Sequence, residues 1–225
     1  MGERVAAITG GHGALGRAVV EAAMAAGWTV AVIDHASGHA VPEGVLELGG
    51  VDLTDPAQAK SAIDAVVARY GRLDALLNIA GGFVWTPVEG DGEEWDRMHA
   101  LNVKTTLNAS RAALPHLKAS PEGRIVNVGA NGAIKAGHGM GAYAASKAGV
   151  HRLTEALAEE LKSTSVTVNA VLPSIIDTAA NRAHMPDADP NTWVAPADLA
   201  AVILFLASPE ARAVTGALIP VTGKV

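Results

Sequence analysis

Short runs of apolar, often β-branched residues alternate along the chain with longer segments of helical periodicity. Several of the short runs are apolar over their whole length, which is typical of strands that are buried on both faces. Such alternation predicts an α/β fold in which a doubly wound, parallel seven-stranded sheet carries helices on both faces. The predicted strands are Val5–Thr9, Thr29–Ile33, Val45–Leu48, Leu73–Ala80, Arg124–Val128, Val166–Leu172 and Ala217–Val221, and the predicted helices are Ala14–Ala26, Pro56–Tyr70, Glu93–Leu117, Gly141–Leu161 and Pro196–Leu206.

One segment, 175–195, departs from this pattern, since it is rich in Asp, Pro, Asn and Ala and lies between the sixth strand and the last helix. Because loops at this end of a doubly wound sheet border the ligand crevice, the segment is predicted to be a flexible substrate lid. A chain of 225 residues with 49% hydrophobic content can bury one sizeable core. Residues 1–225 are therefore predicted to form a single domain.

A glycine-rich stretch follows the first predicted strand and opens the first predicted helix. It runs through Gly10, Gly11, His12, Gly13, Ala14, Leu15 and Gly16. Glycines at this place let the backbone approach a pyrophosphate, and the N–H groups and dipole of the helix favour the anion. The context predicts a Rossmann-type site for a dinucleotide.

Asp34 stands at the end of the second predicted strand, where a Rossmann-type fold places the acid that binds the adenosine ribose hydroxyls. An aspartate there repels the 2′-phosphate of NADP, so NAD(H) is the preferred cofactor. His12 and His35 are nearby candidate phosphate partners, which leaves NADP(H) as the alternative cofactor.

Tyr143 and Lys147 are four residues apart on one face of a predicted helix, so both side chains are expected to reach the same cleft. A neighbouring ammonium stabilises a phenolate and is expected to lower the pKa of the tyrosine towards neutrality. The pair is therefore a candidate proton donor and its electrostatic partner.

With these motifs in place, the chain resembles the short-chain dehydrogenase/reductase family over nearly its whole length. The resemblance implies a catalytic set of Tyr143, Lys147 and Asn102, in which Asn102 supports a water relay. It implies a cofactor set made of Gly10, Gly11, His12, Gly13, Ala14, Leu15, Gly16, Asp34, Asp52, Leu53, Asn78, Ala80, Gly81, Tyr143, Lys147, Pro173, Ile176 and Thr178. The sequence departs from the family pattern at Ala14, Ile79 and Ser174.

The largest departure is Ala130, which stands where the resemblance places a catalytic serine. The dihydropteridine reductases, a subgroup that several local segments resemble, also lack that serine. Phe83 and Trp85 follow a Gly-Gly turn and are candidate apolar walls for a flat substrate ring, although each is equally compatible with ordinary packing. Ala130, Phe83 and Trp85 are therefore the predicted substrate residues.

The amino-acid composition limits the classes of partner expected for this chain. The net charge is −6 and the sequence has no long run of basic residues, which argues against nucleic acid and an anionic membrane surface as partners. There is no cysteine and no histidine-carboxylate motif, so no metal site is predicted. Without a leader or spanning segment in the sequence, a cytoplasmic protein with a small-molecule substrate is expected. The family resemblance implies a homodimer or homotetramer.

Three functions remain open from the sequence. The first is NADH-dependent reduction of a quinonoid dihydropterin, with Tyr143 as proton donor. The second is a carbonyl or alcohol dehydrogenase of ketone or 3-oxoacyl type, in which Asn131, water or backbone N–H groups replace the serine. The third is a dinucleotide-binding regulator without turnover, which Ala130 and Ser174 suggest and the intact Tyr143 and Lys147 pair opposes.

Overall fold

The computed structural model describes residues 4–90 and 92–225. Seven strands within these residues form one sheet whose registered pairs are all parallel. The strands are β1 (Val5–Thr9), β2 (Thr29–Ile33), β3 (Leu46–Leu48), β4 (Ala75–Asn78), β5 (Arg124–Val128), β6 (Thr167–Pro173) and β7 (Leu218–Val221). Their order is β3-β2-β1-β4-β5-β6-β7. This arrangement confirms the predicted fold class.

Helices cover both faces of the sheet. They are α1 (Ala14–Ala25), α2 (Pro56–Tyr70), α3 (Glu93–Met98), α4 (Thr105–Ala119), α5 (Gly141–Glu160), α6 (Ala179–His184) and α7 (Pro196–Ala207). Alternate residues of β1 enter two separate cores: Ala6 and Ile8 pack with α1 and α7, whereas Val5 and Ala7 pack with α2, α4 and α5. The period of two along a strand thus explains why the central strands are apolar throughout.

The predicted helix 93–117 is present as one continuous helical run, but it is not α-helical throughout. Between α3 and α4 the chain forms a π-helical stretch, His99–Lys104, before the α-helix resumes. The wider turn inserts a local change of helical phase, and such bulges often lie at functional sites. Asn102 lies inside this stretch.

The predicted lid also has more structure than a flexible loop. Ile176 and Val194 pair as an isolated parallel bridge that closes the base of the segment. Between them lie α6 and a short 3₁₀ turn, Pro190–Thr192. Thr178 caps α6 by accepting the Asn181 N–H at 3.1 Å. These bonds define one conformation for the segment that borders the crevice.

The strand order reverses between β1 and β4, since the chain first builds outward to β3 and then returns to the other side of β1. In open parallel sheets, ligands bind beyond the carboxyl ends of the strands at this reversal. The fold therefore brings the segments that follow β1, β4, β5 and β6 to one crevice. Within the described residues no helix is both long and apolar enough to cross a membrane.

Candidate active site

The glycine-rich turn after β1 is shaped by close backbone contacts. Gly10 has φ +68°, and a methyl group on it would lie 2.8 Å from both N and Cα of Ala80. A methyl group on Gly16 would lie 2.1 Å from the carbonyl oxygen of Gly10. Neither position accepts a side chain without moving backbone, so the turn depends on glycine at both.

The amino terminus of α1 is open to an anion. Gly13 is its N-cap residue, no side chain caps the helix, and no acidic residue lies in the first turn. The first backbone N–H groups of a helix are unsatisfied within the helix and carry its positive dipole end. This cradle fits the pyrophosphate of a dinucleotide, as the sequence predicts.

Thr9 fastens the glycine-rich turn to the segment that follows β4, a role that sequence reasoning missed. Its Oγ1 accepts the N–H groups of Ile79 and Ala80, both at 3.1 Å. These two bonds stop β4 at Asn78, so the predicted strand end at Ala80 was two residues too late. Ala80 and Gly81 therefore lie in the loop beside the glycine-rich turn, as a cofactor contact requires.

Asp34 lies at the end of β2 and is bonded to the glycine-rich turn. Its Oδ2 accepts the N–H of His12 at 3.0 Å, and its Oδ1 accepts the N–H of Ala36 at 3.0 Å. The Nε2 of His12 lies 3.0 Å from Oε1 of Glu47 on β3. Two carboxylates thus surround the place where the sequence predicts the adenosine ribose, and Glu47 is a neighbour that the sequence analysis did not identify.

Three other predicted cofactor residues have structural partners of their own. Oδ1 of Asp52 accepts both the N–H and the hydroxyl of Thr54, at 2.8 and 2.7 Å. Leu53 is buried, and its carbonyl accepts Nδ2 of Asn108. Asn78 is buried, and its Nδ2 donates to Ser110 and Asn127. The side chain of Asn78 therefore braces the core under the crevice, and direct cofactor contact by these residues stays a prediction.

Tyr143 and Lys147 lie on α5, where the helical spacing was expected to place them. Lys147 is 5% exposed, and its Nζ donates to the carbonyl oxygen of Val128 at 2.7 Å. Burial lowers the pKa of Lys147 to about 8. Burial also raises the pKa of Tyr143 to about 12, so the expected lowering towards neutrality was wrong for the chain alone. The cause is desolvation of the phenolate.

Asn102 links the segment after β4 to the catalytic helix. Its Oδ1 accepts the N–H of Gly82 at 2.9 Å, while its Nδ2 donates to the carbonyl of Gly82 at 3.1 Å and to Oγ of Ser146 at 2.9 Å. A methyl group on Gly81 would lie 2.6 Å from Oδ1 of Asn102 and 3.3 Å from Nζ of Lys147. The amide thus holds Gly81 and Gly82 against Lys147, and the implied water relay stays a prediction.

Ala130 is 3% exposed and lies two residues beyond the end of β5. Its side chain is a methyl group, so this position offers no hydroxyl to a substrate. Asn131, the sequence's candidate replacement, is partly buried at the start of a 3₁₀ turn. A hydroxyl-dependent grip on a substrate carbonyl is therefore absent from position 130.

Phe83 and Trp85 lie at the mouth of the crevice with more than half of their surface exposed. The Phe83 ring meets the Tyr143 ring edge to face, with centroids 4.9 Å apart. Trp85 Nε1 donates to the carbonyl of His138 at 3.0 Å, and the indole covers Gly139 so closely that a methyl group there would lie 2.2 Å away. Both aromatic rings have fixed contacts and are exposed to solvent, and Phe83 lies beside the candidate proton donor.

Pro173, Ile176 and Thr178 lie at and beyond the carboxyl end of β6, on the side of the crevice where a nicotinamide is expected. Ser174, in place of the family's glycine, donates its hydroxyl to the carbonyl of Thr222 at 2.8 Å. That bond fastens the start of the lid segment to the residues after β7. Across residues 4–90 and 92–225 there is no cluster of metal-ligating side chains.

The family profile described as short chain dehydrogenase matches residues 4–189 of this chain. The chain belongs to the short-chain dehydrogenase family. It is accordingly an NAD(P)-dependent oxidoreductase of that family, which the sequence resemblance had predicted.

Relatives and solved structures support this family over almost the whole chain. A 3-oxoacyl-(acyl-carrier-protein) reductase of Thermotoga maritima is 34% identical, with 77% of this chain and 74% of the relative covered. A (5R,7aS)-5-hydroxy-7a-methyl-1-oxo-2,3,5,6,7,7a-hexahydro-1H-indene-carboxyl-CoA reductase of Mycobacterium tuberculosis is 36% identical, with 97% and 92% covered. The structure of a 3-ketoacyl-(acyl-carrier-protein) reductase from Brucella melitensis, complexed with NADH, has a TM-score of 0.87 at 26% identity, with 99% and 98% covered.

None of these relatives is named as a dihydropteridine reductase, so that part of the resemblance stays a prediction. They are named as reductases of carbonyl or hydroxyl-bearing compounds, which agrees with the second function left open by the sequence. The geometry at Ala130 and at the mouth of the crevice bears on the choice between a pterin substrate and a carbonyl substrate.

Proposed function

We propose that this short-chain dehydrogenase is an NADH-preferring reductase of a flat, ring-shaped acceptor, with quinonoid dihydropterin as the best candidate. The observation that carries the proposal is the buried methyl of Ala130 at the position that usually supplies a hydroxyl. An acceptor that accepts hydride into a conjugated ring needs less help from such a hydroxyl than an isolated ketone does. The exposed ring of Phe83 against Tyr143 supports a flat acceptor.

In this mechanism a bound NADH supplies the hydride, and the chain supplies placement and the proton. The glycine-rich turn and the open amino terminus of α1 hold the pyrophosphate. Tyr143 donates its phenolic proton to the ring as the hydride adds, and solvent restores that proton afterwards. Because burial raises the pKa of Tyr143 to about 12, the phenol keeps its proton at neutral pH until transfer. Lys147 is mostly protonated at pH 7, since its pKa is about 8.

Lys147 also stabilises the phenolate that remains after proton transfer, because an ammonium on the same helix face lowers the energy of that anion. Its second task is geometric, since Nζ binds the carbonyl of Val128 and lies beside Gly81. Asn102 holds that glycine loop in place. The buried ammonium of Lys147 and the backbone at Gly81 therefore lie together at the end of the crevice opposite Asp34.

The second candidate is a ketone or alcohol dehydrogenase. It is favoured by the Mycobacterium tuberculosis and Thermotoga maritima relatives, which are named for the reduction of such substrates. In this case Asn131, a backbone N–H group or water takes the place of the serine hydroxyl. The third candidate, a dinucleotide-binding regulator without turnover, is opposed by the intact pair of Tyr143 and the buried Lys147.

Several further properties complete the proposal. Asp34 and Glu47 favour NAD(H) over NADP(H), because a 2′-phosphate would meet two carboxylates. The outer faces of α4 and α5 are the proposed contact of a homodimer or homotetramer. We infer a single domain that acts in the cytoplasm on a small molecule, with residues 175–195 as its substrate lid.

Steady-state NADH oxidation tests the proposal with three acceptors: quinonoid dihydropterin, cyclopentanone and an acyclic 3-oxoacyl thioester. Tyr143→Phe is measured alongside as the matched control for uncatalysed oxidation. We expect kcat/KM to be highest with the quinonoid ring. A higher value with cyclopentanone or the thioester supports the second candidate and rejects the first. NADH binding without turnover of any acceptor supports the regulator.

A further inference from the structure

His151 is a buried titratable side chain that the proposed mechanism does not use. It lies on α5, four residues after Lys147 and eight after Tyr143, so the three side chains share one helix face. Its side chain is almost wholly inside the protein, at 4% exposure. A buried histidine in line with a catalytic pair needs a partner, and the structure gives it one.

The imidazole contacts the backbone at the position of the missing serine. Nε2 of His151 lies 3.2 Å from the N of Ala130, and the N–H of Ala130 donates to it. One helical turn earlier, Lys147 donates to the carbonyl of Val128. Two successive turns of α5 therefore bind the two ends of the segment 128–130, where β5 ends at the crevice.

This contact fixes the protonation state of the ring. A backbone N–H can only donate, so Nε2 must be the acceptor, and the neutral ring carries its proton on Nδ1. Burial, together with the positive charges of Arg152 and Lys147, lowers the pKa of His151. The ring also lies against Gly129 and Ala130, just beyond β5, and neither residue carries a charge. Every one of these influences favours the neutral acceptor.

Gly129 shows how tightly the ring fits. A methyl group on Gly129 would lie 2.5 Å from Nε2 and 2.7 Å from Cδ2 of His151. The imidazole thus lies directly against the chain between Val128 and Ala130. Any shift of the ring would move the backbone that faces the substrate.

We propose that His151 is a positioning residue for the substrate side of the site: its neutral Nε2 holds the Ala130 backbone, and protonation of the ring releases it. The proposal rests on the reductase activity proposed above, although not on which acceptor is reduced. Protonated imidazole has no lone pair for the Ala130 N–H, and it adds a second positive charge beside Lys147. Turnover should therefore fall on the acid side of neutrality.

Two variants separate positioning from packing. In His151→Gln the side-chain oxygen can accept the Ala130 N–H and does not titrate, whereas His151→Leu fills the space without an acceptor. We expect His151→Leu to lower kcat by about tenfold, because a buried backbone N–H is left unpaired, with the Kd for NADH changed by less than about twofold. We expect His151→Gln to keep kcat within about threefold of the wild type and to lose the acid-side fall in kcat.

A second measurement needs no substrate. Hydrogen exchange of the Ala130 amide, followed by NMR on the full chain, should be slow in the wild type and in His151→Gln, and faster by about tenfold or more in His151→Leu. In the wild type this protection should fall only at a pH below the ordinary histidine pKa of about 6.5, because the pKa of His151 is lowered.

The outcomes are distinguishable. Equal amide protection in all three proteins overturns the proposal, as does an acid-side fall in kcat that persists in His151→Gln. If His151→Leu does not fold, the pH profile and amide protection of His151→Gln decide alone. If no acceptor is turned over, the proposed function fails, and the amide measurement still decides the role of His151.

Discussion

The two ends of the crevice are built on different physical principles. At the nucleotide end, Gly10 and Gly16 permit backbone contacts that no other residue allows, and Thr9 and Asp34 accept the N–H groups that fix the turn. The catalytic end is instead built from side chains, and desolvation changes the pKa of Tyr143, Lys147 and His151. Lys147 is the clearest case, because its pKa falls to about 8.

This difference indicates which kind of substitution each end of the crevice tolerates least. A site made of backbone shape is damaged by added volume, whereas a site made of desolvated titratable groups tolerates little change in charge. The catalytic end also combines exposed and buried side chains. Phe83 is 56% exposed, whereas Lys147 and His151 on α5 are buried. The catalytic end is therefore closed on the side of the protein core and open on the side of the solvent, as a site with an exchangeable substrate requires.

The largest expected effect is at the catalytic end. Tyr143→Phe removes the proton donor and should lower kcat by about 10²–10⁴-fold, because that is the usual contribution of general acid catalysis. The Kd for NADH, measured by fluorescence titration, should change by less than about twofold, because the nucleotide end is intact. The matched control is Tyr70→Phe, since Tyr70 lies on α2 and its hydroxyl donates to the carbonyl of Val30 at 3.3 Å.

Wild-type turnover in Tyr143→Phe would remove the tyrosine from the mechanism. A comparable loss in Tyr70→Phe would instead show that the assay reports general damage to the fold.

A smaller effect is expected from added volume at the nucleotide end. Alanine usually stabilises a helix relative to glycine by about 1 kcal/mol, but in Gly16→Ala the methyl group would lie 2.1 Å from a backbone oxygen. The overlap should decide the sign, so that the free energy of unfolding falls by about 1–3 kcal/mol and NADH binding weakens. Chemical denaturation and NADH titration measure the two quantities.

Gly13→Ala is the matched control in the same turn. Gly13 has φ −69°, and the nearest atom to a methyl group there is 3.4 Å away, an ordinary contact. Only the modest N-cap preference for glycine is lost, so the cost should stay below about 1 kcal/mol. Equal losses of stability in both variants would contradict the argument from close packing.

The same contrast explains how much the sequence could predict. The fold and the nucleotide end follow from local patterns, since each strand, the glycine spacing and the position of Asp34 are recognised from residues close together in sequence. At the catalytic end the spacing of Tyr143 and Lys147 was also local. The contact of His151 with Ala130 joins residues 21 apart in sequence, and no local pattern reports it.

Two features that the sequence analysis did not predict have the same origin. The raised pKa of Tyr143 comes from desolvation, which depends on everything packed around the ring, whereas the sequence shows only the neighbouring lysine. The sequence analysis found no composition signal for the π-helical stretch, and Asn102 within it binds Gly82 and Ser146, which are distant in sequence. The sequence did offer one unused clue: His151 continues the four-residue spacing of the catalytic pair.

Charge at the nucleotide end offers the next test. Asp34→Asn removes the negative charge that opposes a 2′-phosphate and keeps one carbonyl acceptor for the turn. The ratio of kcat/KM for NADH to that for NADPH should fall by about tenfold, the size of one nearby charge interaction. Glu47→Gln removes the second carboxylate at this end and leaves both bonds of Asp34 in place, so the ratio should fall in this variant as well. An unchanged ratio in Asp34→Asn would remove this residue from cofactor selection.

The smallest effect is a pH dependence of stability that only the catalytic end should produce. In the folded chain the pKa of Lys147 is about 8, below its ordinary value of 10.5, so between these values the unfolded chain binds more protons. Stability should therefore rise as pH increases from 8 towards 10, by up to about 1 kcal/mol per pH unit, until Tyr143 begins to act in the opposite direction. Lys147→Met should abolish this rise, whereas Lys60→Met, at an exposed lysine of α2, should retain it. Urea unfolding at pH 7.5, 8.5 and 9.5 measures the slope, and an equal slope in wild type and Lys147→Met would show that burial of this ammonium costs the fold nothing.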